Sequence, residues 1–215
     1  MVKFKYKKIL ENGFVVMQSR PEHAKNLAAL QKKVFPLLAQ NELFHEHHYL
    51  QHIKIFPEGQ FVILDGDKVI GMSTTSRTHY MSEPHTFLEA SGNLILDNHN
   101  PKGDWLYGLD IGIDKKYRGM GLGKTLYRAR QKLARHLGLK GQLTVGLING
   151  YHNYKNHLTP DEYFEKLDNG EINDPTVSIQ QMIGFKIGHL IHDYCDDPTC
   201  GNCGILLTLD VKHNI

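Results

Sequence analysis

Runs of alternating or continuous apolar residues, bounded by Gly, Pro, Asn or Asp, predict the strands of this chain. One pair of runs predicts a hairpin, because Asp65-Gly66-Asp67 separates them and Asp-Gly is a preferred hairpin turn. Seven strands result. The predicted segments are 13–20, the hairpin at 59–76, 104–114, 141–148, 184–194 and 204–211.

Between these strands, apolar residues recur at intervals of three and four, the spacing of one helix face. The clearest helix start is at Thr159, because Thr159 with Pro160 and Glu162 has the pattern of a capping box. The predicted helical segments are 21–38, 41–56, 121–137, 158–167 and 175–183.

This order predicts a mixed α/β fold in one domain over 1–215, without the regular strand–helix alternation of a doubly wound sheet. The span from 78 to 103 is polar and carries scattered Pro, Asn and Gly. Connections of this length are uncommon and are more often functional than idle. We therefore expect an insertion with a role there.

Composition narrows the class of protein. Hydrophobic residues make up 40% of the 215 residues and charged residues 22%, as in an ordinary globular domain. A net charge of +2 does not indicate a nucleic-acid binder. Neither a membrane-spanning run nor an N-terminal signal core occurs, so we expect a cytoplasmic protein without a membrane partner. Three Cys within 195–203 do not make a disulfide framework.

The stretch from Tyr117 to Tyr127, YRGMGLGKTLY, has the glycine spacing of a phosphate-binding turn. A Walker A loop would require Gly at position 118, which is Arg, and the dinucleotide pattern G-x-G-x-x-G also fails. The pattern that fits is Arg118-x-x-Gly121-x-Gly123, after a strand and at the start of a helix. Glycines let backbone N–H groups converge on an anion, and the helix N-terminus adds positive potential. A glycine-rich turn without a ligand is the alternative.

This motif resembles the acetyl-CoA loop of the GNAT (Gcn5-related) N-acetyltransferases, [QR]-x-x-G-x-[GA]. The similarity extends over LDIGIDKKYRGMGLGKTLY, Asn149 and MIGFKIG. The chain looks closest to the acetyltransferase half of bacterial proteins fused to a nitrilase-type hydrolase, through LYGLDIGIDKKYRG, GYHNYKNHLTPDEYFEKL and NDPTVSIQQMIGF. The resemblance implies a GNAT fold with a twisted mixed sheet of about seven strands flanked by helices. It also marks 150–177 as a second insertion.

The resemblance implies acetyl-CoA as cosubstrate. Strand backbone would pair with the pantetheine arm, and the following turn would hold the pyrophosphate. Lys124 or Arg128 would meet the 3′-phosphate, unless they form only a solvated basic helix face. The implied coenzyme residues are Ile111, Gly112, Ile113, Arg118, Gly119, Met120, Gly121, Leu122, Gly123, Lys124, Thr125 and Asn149.

Acetyl transfer to an amine needs a base, because deprotonating an amine of pKa ~10.4 at pH 7 costs roughly 4–5 kcal/mol. Asp110 is our first candidate base, with Glu89 second and an ordinary structural Asp as the alternative. The Tyr that protonates the thiolate in many relatives is Gln180 here. Tyr151 and Tyr154 are candidates to replace it, or else are surface aromatics.

Two metal hypotheses are weaker than their alternatives, which are an acceptor-facing or solvated helix for the histidines and a strand-connecting hairpin with incidental thiols for the cysteines. His48 and His52 share a helix face, but the segment lacks the H-E-x-x-H pattern. Cys195, Cys200 and Cys203 are compatible with Zn²⁺, but a second C-x2-C pair is lacking. We expect no metal.

The sequence therefore predicts an N-acetyltransferase that transfers an acetyl group to a primary amine of a small or amino-acid-like acceptor, by direct attack in a ternary complex. The rival function is a non-catalytic coenzyme A-binding regulatory module. Acetyl-CoA and the amine are the expected partners, nucleic acid is not, and a homodimer is one option for the assembly.

Overall fold

Eight strands form one sheet in the computed structural model, which describes residues 4–215. The spatial order is β1-β2-β3-β4-β5-β6-β8-β7. The strands are β1 Lys7–Ile9, β2 Val15–Gln18, β3 Phe61–Asp65, β4 Lys68–Thr78, β5 Trp105–Ile113, β6 Gly141–Leu147, β7 Lys186–Ile191 and β8 Gly204–Asp210. The helices are α1 Ala24–Val34, α2 Glu46–Ile55, α3 Phe87–Ala90, α4 Leu122–His136, α5 Pro160–Asp168 and α6 Val177–Ile183.

The sheet is antiparallel except between β5 and β6, which run parallel. Parallel neighbours need a crossover connection, and α4 supplies it. The mixed α/β fold predicted from the element order is confirmed.

Helices pack on both faces of the sheet. Along β3, Phe61 and Ile63 join the cluster of apolar side chains around α4, whereas Val62 joins the cluster around α1 and α2. Successive strand residues point to opposite faces, so these clusters lie on opposite sides. Leu126 of α4 is completely buried, which contributes about 1.5–3 kcal/mol to stability.

The sheet has one strand more than the seven predicted. β1 contains three exposed residues and pairs only with β2 at the sheet edge. An edge strand this short shows no alternation of buried and exposed positions, so its sequence carries no strand pattern.

The long polar connection at 78–103 is folded. Thr86 caps α3, and its hydroxyl accepts from the Glu89 N–H at 3.1 Å while the Glu89 carboxylate accepts from the Thr86 N–H at 2.7 Å. An irregular turn over Gly92–Leu96 follows, in which Asn93, Leu94 and Leu96 have positive φ. No helix among residues 4–215 combines the length and apolar composition needed to cross a bilayer.

Candidate active site

β5 and β6 separate part-way along their length. Their ladder covers Trp105–Gly108 and Gly141–Thr144, after which both strands continue without pairing to each other. The Thr144 hydroxyl donates to the Gly108 carbonyl at 2.7 Å at the point of separation. Successive backbone groups of a strand point to alternate edges, so every second N–H and C=O beyond Gly108 faces this fork. The fork can pair with an extended ligand.

A bulge on β5 lies at the base of the fork. Thr74 pairs with Asp110 but Thr75 pairs with Gly108, so Leu109 is an extra residue on β5. The buried guanidinium of Arg130 supports the bulge by donating to the Ser73 hydroxyl at 2.5 Å, the Thr74 carbonyl at 3.2 Å and the Asp110 carbonyl. A side chain at Gly108 would collide with this guanidinium, which explains the glycine.

The glycine-rich turn follows β5 and starts α4. Gly119 and Gly121 have φ of 79° and 72°, where other residues are strained. Gly121 is the N-cap of α4 and supplies no side-chain acceptor, and the first helical bond is the Thr125 N–H to its carbonyl at 3.1 Å. The N–H groups of 122–124 therefore lack helical partners and can bind an anion.

The basic side chains near this turn differ in their hydrogen-bond partners and in whether they line the cavity. Arg118 is exposed and its Nε donates to the Ile113 carbonyl at 3.2 Å, while Lys124 lines the cavity described below. Arg128 donates to the Ile215 carbonyl at 3.0 Å, so its guanidinium already has one partner. Lys124 is thus the more available of the two cations considered for a further phosphate.

A cavity of about 730 Å³ joins the fork to the turn. The predicted coenzyme residues that line it are Ile111, Gly112, Ile113, Arg118, Gly119, Gly121, Leu122, Gly123, Lys124 and Asn149. Met120 and Thr125 are not among the lining residues. The Thr125 hydroxyl instead donates to the Gly121 carbonyl at 3.2 Å, and the Met120 side chain is half exposed.

Another part of the cavity wall comes from the end of α1 and its following loop, from Phe87 and from the loop after β7. The residues are Gln31, Val34, Phe35, Pro36, Leu37, Leu38, Phe87, Tyr194, Cys195, Asp197 and Thr199. Backbone bonds hold these segments together, since the Phe87 N–H donates to the Tyr194 carbonyl at 2.6 Å and the Ala39 N–H to the Asp196 carbonyl at 2.9 Å. The sequence showed no signal for this wall.

Asp110 lies on β5 at the bulge and lines the cavity. Its carboxylate accepts from the Thr74 N–H at 2.6 Å and from the Tyr49 hydroxyl at 3.1 Å. Burial raises its pKa above the usual 3.8, against the lowering effects of Arg130 and of these hydrogen bonds. A buried carboxylate of this kind is a stronger base than an exposed one.

The structure does not bring Tyr151 and Tyr154 to the cavity wall. The Tyr151 hydroxyl donates to the Leu158 carbonyl at 3.0 Å, and the Tyr154 ring packs on Tyr163 with centroids 5.4 Å apart. Glu89, the second candidate base, is likewise engaged in the α3 cap. None of the three is placed to act in this cavity.

Gln180 lines the cavity and donates through Nε2 to the Tyr127 hydroxyl oxygen at 2.9 Å. Since that oxygen accepts, the hydroxyl hydrogen of Tyr127 is left to donate elsewhere. Tyr127 also lines the cavity, and burial raises its pKa, so it stays protonated at neutral pH. Sequence reasoning missed Tyr127, because its role depends on Gln180, which lies 53 residues further along the chain.

Neither metal hypothesis gains support among residues 4–215, where no group of three or more suitable side chains forms a metal site. His52 contacts the Leu94 carbonyl through Nε2 at 2.6 Å, and His48 accepts from the His45 N–H at 2.9 Å. Burial raises the pKa of Cys203 to about 11, and a hydrogen bond to Cys200 raises that of Cys195.

Known proteins share this sequence pattern and fold. Residues 25–153 match the Acetyltransferase (GNAT) family. In Bacillus subtilis (strain 168), "Probable hydrolase YhcX" is 32% identical over 191 residues, which cover 88% of this chain but only 37% of that protein. "Uncharacterized N-acetyltransferase YkwB" is 32% identical over 184 residues, 84% of this chain and 81% of that protein.

Solved structures agree on the fold. The loading GNATL domain of CurA from Lyngbya majuscula has a TM-score of 0.79 and 22% identity, with 94% of this chain and 99% of that chain covered. The GphF GNAT-like decarboxylase in complex with isobutyryl-CoA has a TM-score of 0.74 and 19% identity, with 92% and 99% covered. At these identities the likeness concerns the fold alone.

Proposed function

The chain belongs to the GNAT acetyltransferase family, and we propose that it transfers an acetyl group from acetyl-CoA to a primary amine of a small or amino-acid-like acceptor. The acceptor attacks the thioester directly while both substrates are bound. The observation that carries the proposal is the continuity of the β5–β6 fork with the glycine turn of α4 in one cavity.

The chemistry of this cavity fits coenzyme A along its length. The unpaired edge of β5 beyond Gly108 supplies the amide-pairing groups that a pantetheine arm needs, in the manner of an added strand. The N–H groups of 122–124 and the side chain of Lys124 supply donors and charge for a pyrophosphate. From Asp110 to Ile113 the strand advances about 10 Å, which separates the reacting end from the phosphate end.

Asp110 is the proposed base. In a direct attack the amine loses a proton as the new C–N bond forms, and the thioester C–S bond breaks to release the thiolate. Asp110 lines the cavity and the pKa of its carboxyl group is raised, so we assign it the acceptance of that proton, directly or through one water. Backbone N–H groups at the bulge of Leu109 supply donors to the thioester oxygen.

Tyr127 is the proposed proton donor to the departing sulfur, in place of Tyr151 and Tyr154. Its hydrogen is free because Gln180 donates to its oxygen, and its position in the cavity wall gives it access to the substrate. A thiol of pKa ~8.5 is only about 1.5 units above neutral, so this step is helpful without dominating the rate.

A turnover assay tests the proposal. Purified protein is mixed with acetyl-CoA and with phenethylamine, spermidine, L-lysine or glycinamide, and the released thiol and the acetylated amine are both measured. Amine-dependent thiol release with a matching amide product supports the proposal. Tight acetyl-CoA binding without turnover on any amine would instead favour the non-catalytic coenzyme A-binding module.

A further inference from the structure

Three aromatic side chains form a hydrogen-bonded chain that starts at the cavity wall. Tyr194 lines the cavity, and its hydroxyl lies 3.3 Å from the Tyr107 hydroxyl. The Tyr107 hydroxyl lies 2.8 Å from Nε2 of His85. All three residues are at most 8% exposed, so they form a fixed internal connection.

The direction of these hydrogen bonds follows from His85, which lies at the end of the chain away from the cavity. Nδ1 of His85 lies 2.8 Å from the Glu83 carbonyl, which can only accept, so Nδ1 carries the hydrogen. Burial lowers the pKa of His85 below 6.5, so the ring is neutral at pH 7 and Nε2 is an acceptor. Tyr107 therefore donates to His85, and Tyr194 donates to Tyr107.

The Tyr194 hydroxyl hydrogen is therefore committed to Tyr107, and the oxygen of this cavity-lining residue keeps its lone pairs for a ligand. Asp110 and Asp197 are also lining residues, and their carboxylates accept when ionised. Among the described lining residues, the Arg and Lys side chains are Arg118 and Lys124, and both belong to the glycine turn. Away from the turn, Tyr194 and the two aspartates thus offer acceptors for N–H groups, beside the hydroxyl donor of Tyr127.

We propose that the Tyr194 hydroxyl binds an N–H of the acceptor amine, and that His85, acting through Tyr107, is a positioning residue that keeps this hydroxyl in its accepting orientation. The inference rests on the proposed amine acetylation and deepens it. Tyr194 selects acceptors that offer an N–H donor, and its proton is committed to Tyr107.

Protonation of His85 reverses the donor and acceptor roles along this series of hydrogen bonds. The imidazolium donates from Nε2 to Tyr107, Tyr107 then donates to Tyr194, and Tyr194 turns its hydrogen toward the cavity. Glu83, Glu89, His189, Tyr107 and Tyr194 are the groups that face His85, and Glu89 and His189 shift its pKa in opposite directions. As pH falls through the His85 pKa, amine binding weakens, whereas above that pKa it is unaffected.

Steady-state kinetics test this inference. The acceptor is the amine of the four-member panel that the unmodified protein acetylates fastest. Tyr194→Phe is expected to raise KM for the amine about tenfold, with KM for acetyl-CoA unchanged. Because protonation of the amine itself changes KM equally in both proteins, Tyr107→Phe and the unmodified protein are compared at each pH. Tyr107→Phe is expected to lack the additional rise in amine KM that the unmodified protein shows between about pH 7 and about pH 5, while the pH dependence of kcat remains. Tyr80→Phe is the matched control, since Tyr80 is half exposed and packs on Trp105.

Thermal unfolding of each variant confirms that it is folded before kinetics are compared. An unchanged amine KM in a folded Tyr194→Phe protein overturns the inference, as does a Tyr107→Phe protein that keeps the wild-type acid rise in amine KM. Either result leaves the proposed function standing, because wild-type turnover is measured in the same series. A wild-type protein that acetylates no amine overturns both.

Discussion

Replacing Gly121 by Glu tests the glycine turn most directly. Gly121 has φ 72° and ψ 8°, and a Cβ built there meets no atom within 4 Å. The new side chain therefore fits, and the cost to folding is the left-handed backbone, about 1–2 kcal/mol. That is a modest part of a typical stability of about 5–15 kcal/mol, so the Gly121→Glu protein is expected to fold.

The effect on coenzyme binding is larger. The N–H groups of 122–124 lack helical partners and are the proposed donors to the pyrophosphate. A carboxylate at position 121 competes for these donors and repels the anion. Loss of two charge-assisted hydrogen bonds at roughly 1.5–3 kcal/mol each weakens acetyl-CoA binding by about 100-fold to 10,000-fold.

Isothermal titration calorimetry with acetyl-CoA measures this loss, and thermal unfolding reports the stability. Gly138→Glu is the matched control, because Gly138 also has positive φ (66°), has the same free space and lies just beyond the far end of α4. The control is expected to lose similar stability and keep wild-type affinity. Unchanged acetyl-CoA affinity in Gly121→Glu, or an equal loss in both variants, would refute the assignment of the turn.

Three further substitutions test the site and its support. Asp110→Asn keeps an acceptor for the Thr74 N–H but is expected to lower kcat at least about 100-fold. It should also abolish the fall in kcat that the unmodified protein shows as pH drops through the raised Asp110 pKa. A wild-type kcat in this variant would rule out Asp110 as the base. Arg130→Met leaves two carbonyls and a hydroxyl without their donor, and urea denaturation should show that the free energy of unfolding falls by about 3 kcal/mol. A fall below about 1 kcal/mol would contradict the support that Arg130 gives to the β5 bulge. Thr159→Ala removes the cap of α5 and is expected to cost about 1 kcal/mol with acetyl transfer unchanged; slower turnover would place this region nearer to the chemistry than the structure does.

Local patterns identified most of the fold. The capping box at Thr159 and Glu162 starts α5 where it was predicted, since cap residues act on the backbone within one turn. The hairpin around Gly66 joins β3 to β4 for the same reason. β1 has no such signal, because its three residues are held only by pairing with β2.

The residues of the candidate site also differ in whether local sequence could predict them. The glycine turn could be predicted because all its determinants, a strand end, positive-φ glycines and a helix start, are adjacent in sequence. Tyr127 and Tyr194 could not, since their roles depend on partners far along the chain, Gln180 for one and Tyr107 for the other. Tyr151 and Tyr154 were proposed from closeness to Asn149 in sequence, which does not determine where a side chain points.

The amino-acid sequence by itself determined the order of most elements, the glycine turn between β5 and α4, and the family. Only the tertiary structure decided that β5 and β6 separate after Gly108, that the bulge places Asp110 against Tyr49 and Thr74, and which hydroxyls face the cavity. The physical reason is the range of the interactions. Propensity, capping and glycine geometry act between near neighbours, whereas strand pairing, burial and hydrogen-bond direction arise only when distant segments pack together.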